Sequence, residues 1–173
     1  MRRAIRMFRP FVERGAADVE QQMLTVRRAR AEDLPQVIAL FADDDVEGPS
    51  RAEHGTLGEG QREAFVAIES DPNNHVFVAE LDGAVVGTFQ LTFIRQLSYG
   101  GCLVAQVESV HVHSSVRSHG IGTRMMEVAI AEASRRNALR IQLTSNVRRT
   151  RAHAFYERLG FVASHKGMKL YLR

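Results

Sequence analysis

Arg117-Ser-His-Gly120-Ile-Gly122-Thr123 sets a cation and two glycines in one short span ahead of a helical pattern. Met126, Ala129, Ile130 and Ala133 recur at helical spacing, which predicts an amphipathic helix from the glycines to about Asn137. The first N–H groups of such a helix lack internal partners and lie at the positive end of its dipole, a ready site for phosphate. Glycines at 120 and 122 let a ligand approach the backbone, and Arg117 adds a fixed charge. The same residues also read as a plain strand-to-helix connection with a solvated arginine. Other phosphate loops fit less well. A dinucleotide fingerprint needs a third glycine where Met125 stands, and no Gly-Lys-Ser/Thr occurs for a P-loop. His111 and His113 share a strand face and His119 lies in the loop, but no carboxylate or cysteine spacing completes a familiar metal site. No metal is expected.

A strand must deliver the chain to this loop. Leu103, Ala105 and Val107 alternate with period two, then the apolar phase slips and resumes at Val110 and Val112. A slip of one residue around Glu108-Ser109 is what a β-bulge produces. Upstream, Leu24–Arg28 is a first strand, and Glu32–Phe41 opens a helix with Pro35 in its first turn. A polar loop from Asp43-Asp-Asp45 to Gly60 precedes a helix from Gln61 to about Ser70. His75–Leu81, the turn Asp82-Gly83 and Ala84–Ile94 form a hairpin, and Tyr99-Gly-Gly101 turns into the strand Cys102–His113. The helix then crosses over to Leu139–Thr144, which makes those two strands parallel. Thr150–Leu159 is a last helix stopped by Gly160, and Phe161–Ser164 and Met168–Leu172 close as strands.

Arg117-Ser-His-Gly120-Ile-Gly122 resembles the Arg-x-x-Gly-x-Gly signature of the GNAT superfamily of N-acetyltransferases. Ala152-His-Ala-Phe-Tyr156-Glu-Arg-Leu-Gly160-Phe161 resembles that family's later Ala-x-x-Phe-Tyr-x-x-x-Gly-Phe segment, in the expected order and distance. The resemblance runs from about Leu24 to Leu172. It implies an α/β fold with a central mixed, mostly antiparallel sheet of about six to seven strands, helices on both faces and a β-bulge in the fourth strand. It implies acetyl-CoA as cosubstrate, with pyrophosphate on the backbone of Arg117, Ser118, His119, Gly120, Ile121, Gly122 and Thr123. Val110, His111 and Val112 would pair with the pantetheine arm, and His153 and Phe155 would line the same cofactor.

Under this resemblance Tyr156 is the candidate general acid, a phenol placed to protonate a departing thiolate. Its ordinary alternative is a helix tyrosine packing its ring in the core. Glu108 is the candidate general base, because an amine acceptor is mostly ammonium at neutral pH. Its alternative is a solvated or arginine-paired strand glutamate. Many family members carry asparagine seven residues before the tyrosine, where this chain has Arg149, and Asn146 is the proposed substitute. The implied reaction is direct attack of a primary amine on acetyl-CoA in a ternary complex, which needs no enzyme thiol. A non-catalytic acyl-CoA sensor or interaction module is the alternative from another class. The three aspartates at 43–45 read as a solvated turn or as a receiver for a cationic acceptor.

Composition sets the outer limits. The 173 residues suit one domain, with 45% hydrophobic and 25% charged residues, as in ordinary globular proteins. No apolar run approaches membrane-spanning length. A single cysteine, Cys102, precludes an internal disulfide and suits a reducing cytoplasm. The net charge of +3 is modest, and the arginines at 148, 149 and 151 come without an aromatic stacking series, so no nucleic-acid partner is expected. Residues 1–22 read as an arginine-rich N-terminal extension and 23–173 as the acetyltransferase domain, with Met23 as a possible alternative start. The acceptor is a small-molecule or peptide amine that the sequence does not specify, and the resemblance implies a homodimer.

Overall fold

Alternating apolar residues in five segments build one sheet, described here from a computed structural model covering residues 23–43 and 56–172. The strands are β1 (Leu24–Arg28), β2 (Asn74–Leu81), β3 (Ala84–Arg95), β4 (Leu103–Val112) and β5 (Arg140–Leu143), and they lie side by side in chain order. The first four pair antiparallel, and β5 joins β4 parallel. Asp82 at φ 50° and Gly83 at φ 80° join β2 to β3, the two left-handed residues that a tight hairpin with strand-matching twist requires. The helices are α1 (Leu34–Ala42), α2 (Glu59–Ser70), α3 (Ile121–Arg135) and α4 (Thr150–Arg158). Helix α3 is the crossover between β4 and β5, so their parallel pairing follows from its length.

Period two sorts the strand residues onto two faces. Phe77, Ala79, Phe89, Leu91, Phe93, Ala105 and Val107 point to one face and pack under Ile121, Met125, Met126, Ala129 and Ala133 of α3. Val78 and Val85 point the other way and meet Val37 and Leu40 of α1. Of the predicted stripe, Met126, Ala129 and Ala133 are buried and Ile130 is half-buried, while Ile121 and Met125 complete the buried face. Gly87 is the close approach in this layer: a Cβ there would lie 2.8 Å from Met125 Sδ and 3.2 Å from the His111 carbonyl oxygen. At its start α1 is held by charge. Arg27 donates to both carboxylate oxygens of Asp33, at 2.7 and 2.9 Å, and to Glu80. Asp33 is only 4% exposed. Burial pushes its carboxyl up, but Arg27 and the Arg30 backbone N–H outweigh that and hold it below the ordinary carboxylate range.

Two expectations need correction. The sheet has five strands among the described residues, not six or seven. Phe161–Ser164 and Met168–Leu172 form no strand; Met168, Leu170 and Leu172 keep their alternation, yet each is at least 86% exposed. Alternation belongs to a segment by itself, whereas a strand also needs a neighbour to complete its ladder, and these segments have none among the described residues. The first helix also begins differently, with a 3-10 turn at Ala31–Asp33 before α1. The readings on residues 1–22, on Asp44 and on Asp45 lie outside the described residues.

Candidate active site

Val107 and Leu143 are the last pair that β4 makes with β5. Beyond Val107 the strand continues to Val112 without that neighbour, so a fork opens beside Glu108. On its other side β4 also changes register: Gln90 faces Glu108 but Thr88 faces His111, two steps on β3 against three on β4. Ser109 takes a left-handed φ of 51° within the shifted stretch. Glu108 is exposed at the mouth of the fork.

The loop after β4 reaches α3 through two left-handed residues, Ser118 at φ 69° and Gly120 at φ 82°. Gly120 is the N-cap, and its carbonyl accepts from the Arg124 N–H at 3.0 Å. The N–H groups of Ile121, Gly122 and Thr123 form the first helical turn, where the ladder supplies no partner and the dipole is positive. Ile121, only 3% exposed, pins this turn to the core.

Arg117 does not stand out in solvent as its sequence context suggests. Its Nε donates to the Val112 carbonyl at 2.9 Å and its guanidinium to the Asp43 carbonyl at 3.0 Å. It lies 3.7 Å from the Asp43 carboxylate. The three histidines go to separate partners. His111 sets its ring edge-on to Phe41 of α1, with centroids 5.0 Å apart. His113 Nδ1 lies 2.7 Å from the Ser115 hydroxyl, and His119 Nδ1 bonds the Arg117 carbonyl at 2.9 Å. No group of three or more metal-ligating side chains gathers among the described residues.

Helix α4 brings Phe155 against the start of α3. Its approach is shaped by Asn146, whose Oδ1 accepts from the Arg148 N–H at 3.0 Å. The Asn146 carbonyl receives the Arg149 N–H at 2.9 Å and lies 2.9 Å from His153 Nε2. The end of α4 explains the spacing Phe-Tyr-x-x-x-Gly-Phe. The Phe161 N–H reaches back to the Tyr156 carbonyl and the Gly160 N–H to that of Glu157, both at 3.0 Å, with Gly160 at φ 90°. That is a Schellman cap, whose hydrophobic closure is the contact of the Tyr156 and Phe161 rings, 5.7 Å between centroids. Phe155 packs on Tyr156 from the other side at 5.0 Å. Tyr156 is thereby locked in place. Burial pushes its hydroxyl above the ordinary tyrosine range, only partly offset by Arg149, so it stays protonated.

These pieces meet at Gly122. A Cβ built there would lie 3.4 Å from Phe155 Cζ and 3.9 Å from Val112 Cγ2. The end of β4, the start of α3 and the middle of α4 therefore converge on one helix N-terminus, which brings Val112, Gly122 and Phe155 together. Arg117, Asn146 and His153 instead hold the surrounding loops. Sequence reasoning missed Ser114 and Phe41, and it gave Asp43 no partner within the chain. Ser114 donates to Asp43 through its N–H at 2.6 Å and its hydroxyl at 2.9 Å, across 71 residues of chain. No local pattern signals such a contact.

Comparison with known proteins gives a consistent result. The family model described as "Acetyltransferase (GNAT) family" matches residues 34–161. The aminoalkylphosphonate N-acetyltransferase of Salmonella typhimurium is 29% identical, across 81% of this chain and 86% of that protein. Among solved structures, a Bacillus halodurans C-125 protein described as a transcriptional regulator is 38% identical with a TM-score of 0.82, covering 87% of this chain and 100% of that one. Glucosamine-6-phosphate N-acetyltransferase from Arabidopsis thaliana shares the fold, with a TM-score of 0.72 at 18% identity over 88% of this chain and 100% of that one.

Proposed function

The chain belongs to the GNAT family and is an acetyl-CoA-dependent N-acetyltransferase acting on an amine, and from that premise we propose which residues carry out the transfer. The backbone from Ser118 to Thr123 holds the pyrophosphate at the start of α3. The free N–H groups and the left-handed turn at Gly120 support this, since both suit a doubly charged ligand. We read the register shift in β4 as a β-bulge that turns Val110, His111 and Val112 toward the pantetheine arm, with Phe155 beside it. His153 and Asn146 act in this scheme by shaping the wall of the cofactor groove through their mutual hydrogen bond.

Glu108, exposed at the fork, takes the proton from the ammonium form of the acceptor. The freed nitrogen lone pair attacks the thioester carbonyl carbon, the carbon–sulfur bond breaks, and Tyr156 gives its phenolic proton to the departing sulfur. The amide nitrogen sheds its second proton, which solvent relays to the tyrosinate, and Glu108 releases to solvent the proton it took. The convergence of β4, α3 and α4 on Gly122 beside the locked Tyr156 is the observation that carries this reading.

For the acceptor, the Salmonella relative makes small aminoalkylphosphonates the first class to test, before amino sugars, polyamines and peptide amines. A homodimer working in the cytoplasm completes the proposal. The test measures release of the CoA thiol from acetyl-CoA with this amine panel, for wild type and Tyr156→Phe. Turnover by the wild type, reduced roughly 10²–10⁴-fold in kcat by the substitution, is expected for a general acid. CoA binding without turnover of any amine would instead favour an acyl-CoA sensor, a role compatible with the regulator named among the similar structures.

A further inference from the structure

We propose that Asp43 is a positioning residue for the pyrophosphate loop, and that Arg117 serves this clip from within the Arg-x-x-Gly-x-Gly signature. The proposal rests on the assignment of that loop to the cofactor. Asp43 is the C-cap of α1 and lies directly before residues 44–55, far in sequence from the loop it touches. Its carboxylate accepts from Ser114 twice, through the N–H and the hydroxyl, at 2.6 and 2.9 Å. Ser114 begins the turn that carries β4 into the glycine loop.

Arg117 closes the other half of the clip. Its guanidinium donates to the Asp43 carbonyl and lies 3.7 Å from the carboxylate, while its Nε holds the last carbonyl of β4, that of Val112. One arginine thus ties the end of the forked strand to the end of α1. One carboxylate ties the end of α1 to the start of the loop. Phe41 packing on His111 adds an apolar contact to the same junction.

A helix that served only to cover the sheet would need its apolar face alone, and α1 has that in Val37, Leu40 and their partners. Here both ends are also held by carboxylate–guanidinium pairs, Asp33 with Arg27 at the start and Asp43 with Arg117 at the end. At that second end the Asp43 carboxylate holds Ser114 and the Asp43 carbonyl holds Arg117, the two residues that flank the approach to Ser118 and Gly120. Charge-assisted hydrogen bonds of this kind set geometry as well as energy. A loop released from the clip keeps its glycines but presents its N–H groups less precisely to a phosphate.

The test compares wild type, Asp43→Ala, Asp43→Asn and Ser114→Ala, each checked by thermal melting, using CoA calorimetry and turnover of two acetyl donors. S-acetylpantetheine lacks the pyrophosphate, so a loop-specific effect separates it from acetyl-CoA. Asp43→Ala is expected to weaken CoA binding about tenfold and to lower by a similar factor the ratio of kcat/KM for acetyl-CoA over S-acetylpantetheine. Asp43→Asn retains an acceptor for Ser114 but loses the charge, and falls between the two. Equal losses with both donors, or unchanged CoA binding in folded Asp43→Asn and Ser114→Ala, would overturn the proposal. A wild-type protein that binds no CoA would instead overturn the cofactor assignment beneath it.

Discussion

Gly120→Ala isolates the contribution of a single left-handed turn to cofactor binding. Gly120 sits at φ 82°, and a Cβ added there meets nothing within 4 Å. The cost is therefore backbone strain without a steric clash, about 1–2 kcal/mol for an L-residue in this region. Gly83 in the β2–β3 turn provides a matched control, at φ 80° with nothing within 4 Å of its added Cβ. Both alanine variants should lose comparable stability, roughly 2–8 °C in melting temperature for a chain of this size. Their effects on the cofactor should differ. If the loop relieves its strain by rotating the peptides around Ile121 and Gly122, one charge-assisted hydrogen bond to phosphate is lost. That is about 1.5–3 kcal/mol, or at least roughly a tenfold rise in the Kd for CoA. Calorimetry of both variants against CoA, alongside their melts, reads the two effects separately. Equal CoA affinity in Gly120→Ala and Gly83→Ala, with equal loss of stability, would refute the placement of the pyrophosphate at this helix.

Other perturbations follow from the same coordinates. Glu108→Gln should lower turnover at neutral pH by about 10²-fold or more. Its rate should then climb with pH as the acceptor ammonium loses its proton unaided, and a pH profile parallel to wild type would exclude Glu108 as the base. Asp33→Asn should cost about 2 kcal/mol at neutral pH by removing a charged acceptor from Arg27 and Arg30. Because the folded Asp33 carboxyl lies below its ordinary value, its contribution is complete above the unfolded carboxylate range near about pH 4 and vanishes as pH falls through the folded value. Denaturant melts of the two proteins should therefore converge in acid, and a constant gap would contradict the charge argument. Gly87→Ala should destabilise by about 1–3 kcal/mol, since the His111 carbonyl cannot move aside as the Met125 side chain can.

Local chemistry already stood in the chain. Period-two segments, the Asp82-Gly83 turn and the helical stripe at 126–133 specify β2, β3, β4 and α3, because pleat and helix pitch are properties of consecutive residues. The phase slip at Glu108-Ser109 likewise anticipates the register change against β3. The Gly-Phe pair after Tyr156 encodes a helix cap whose closing contact involves that same tyrosine. What the order of residues did not determine was the use of the charges. Arg117 reads as a solvent-facing partner for phosphate, and Asp43 as one of three aspartates in a polar turn. Only folding brings the end of α1 against the end of β4 and turns both side chains toward partners within the chain. The closing segments show the converse: Met168, Leu170 and Leu172 alternate as a strand would, but no described neighbour completes their ladder. Periodicity is written along a segment, whereas ion pairs and ladders need partners that the chain delivers from elsewhere, and tertiary structure alone decides which ones meet.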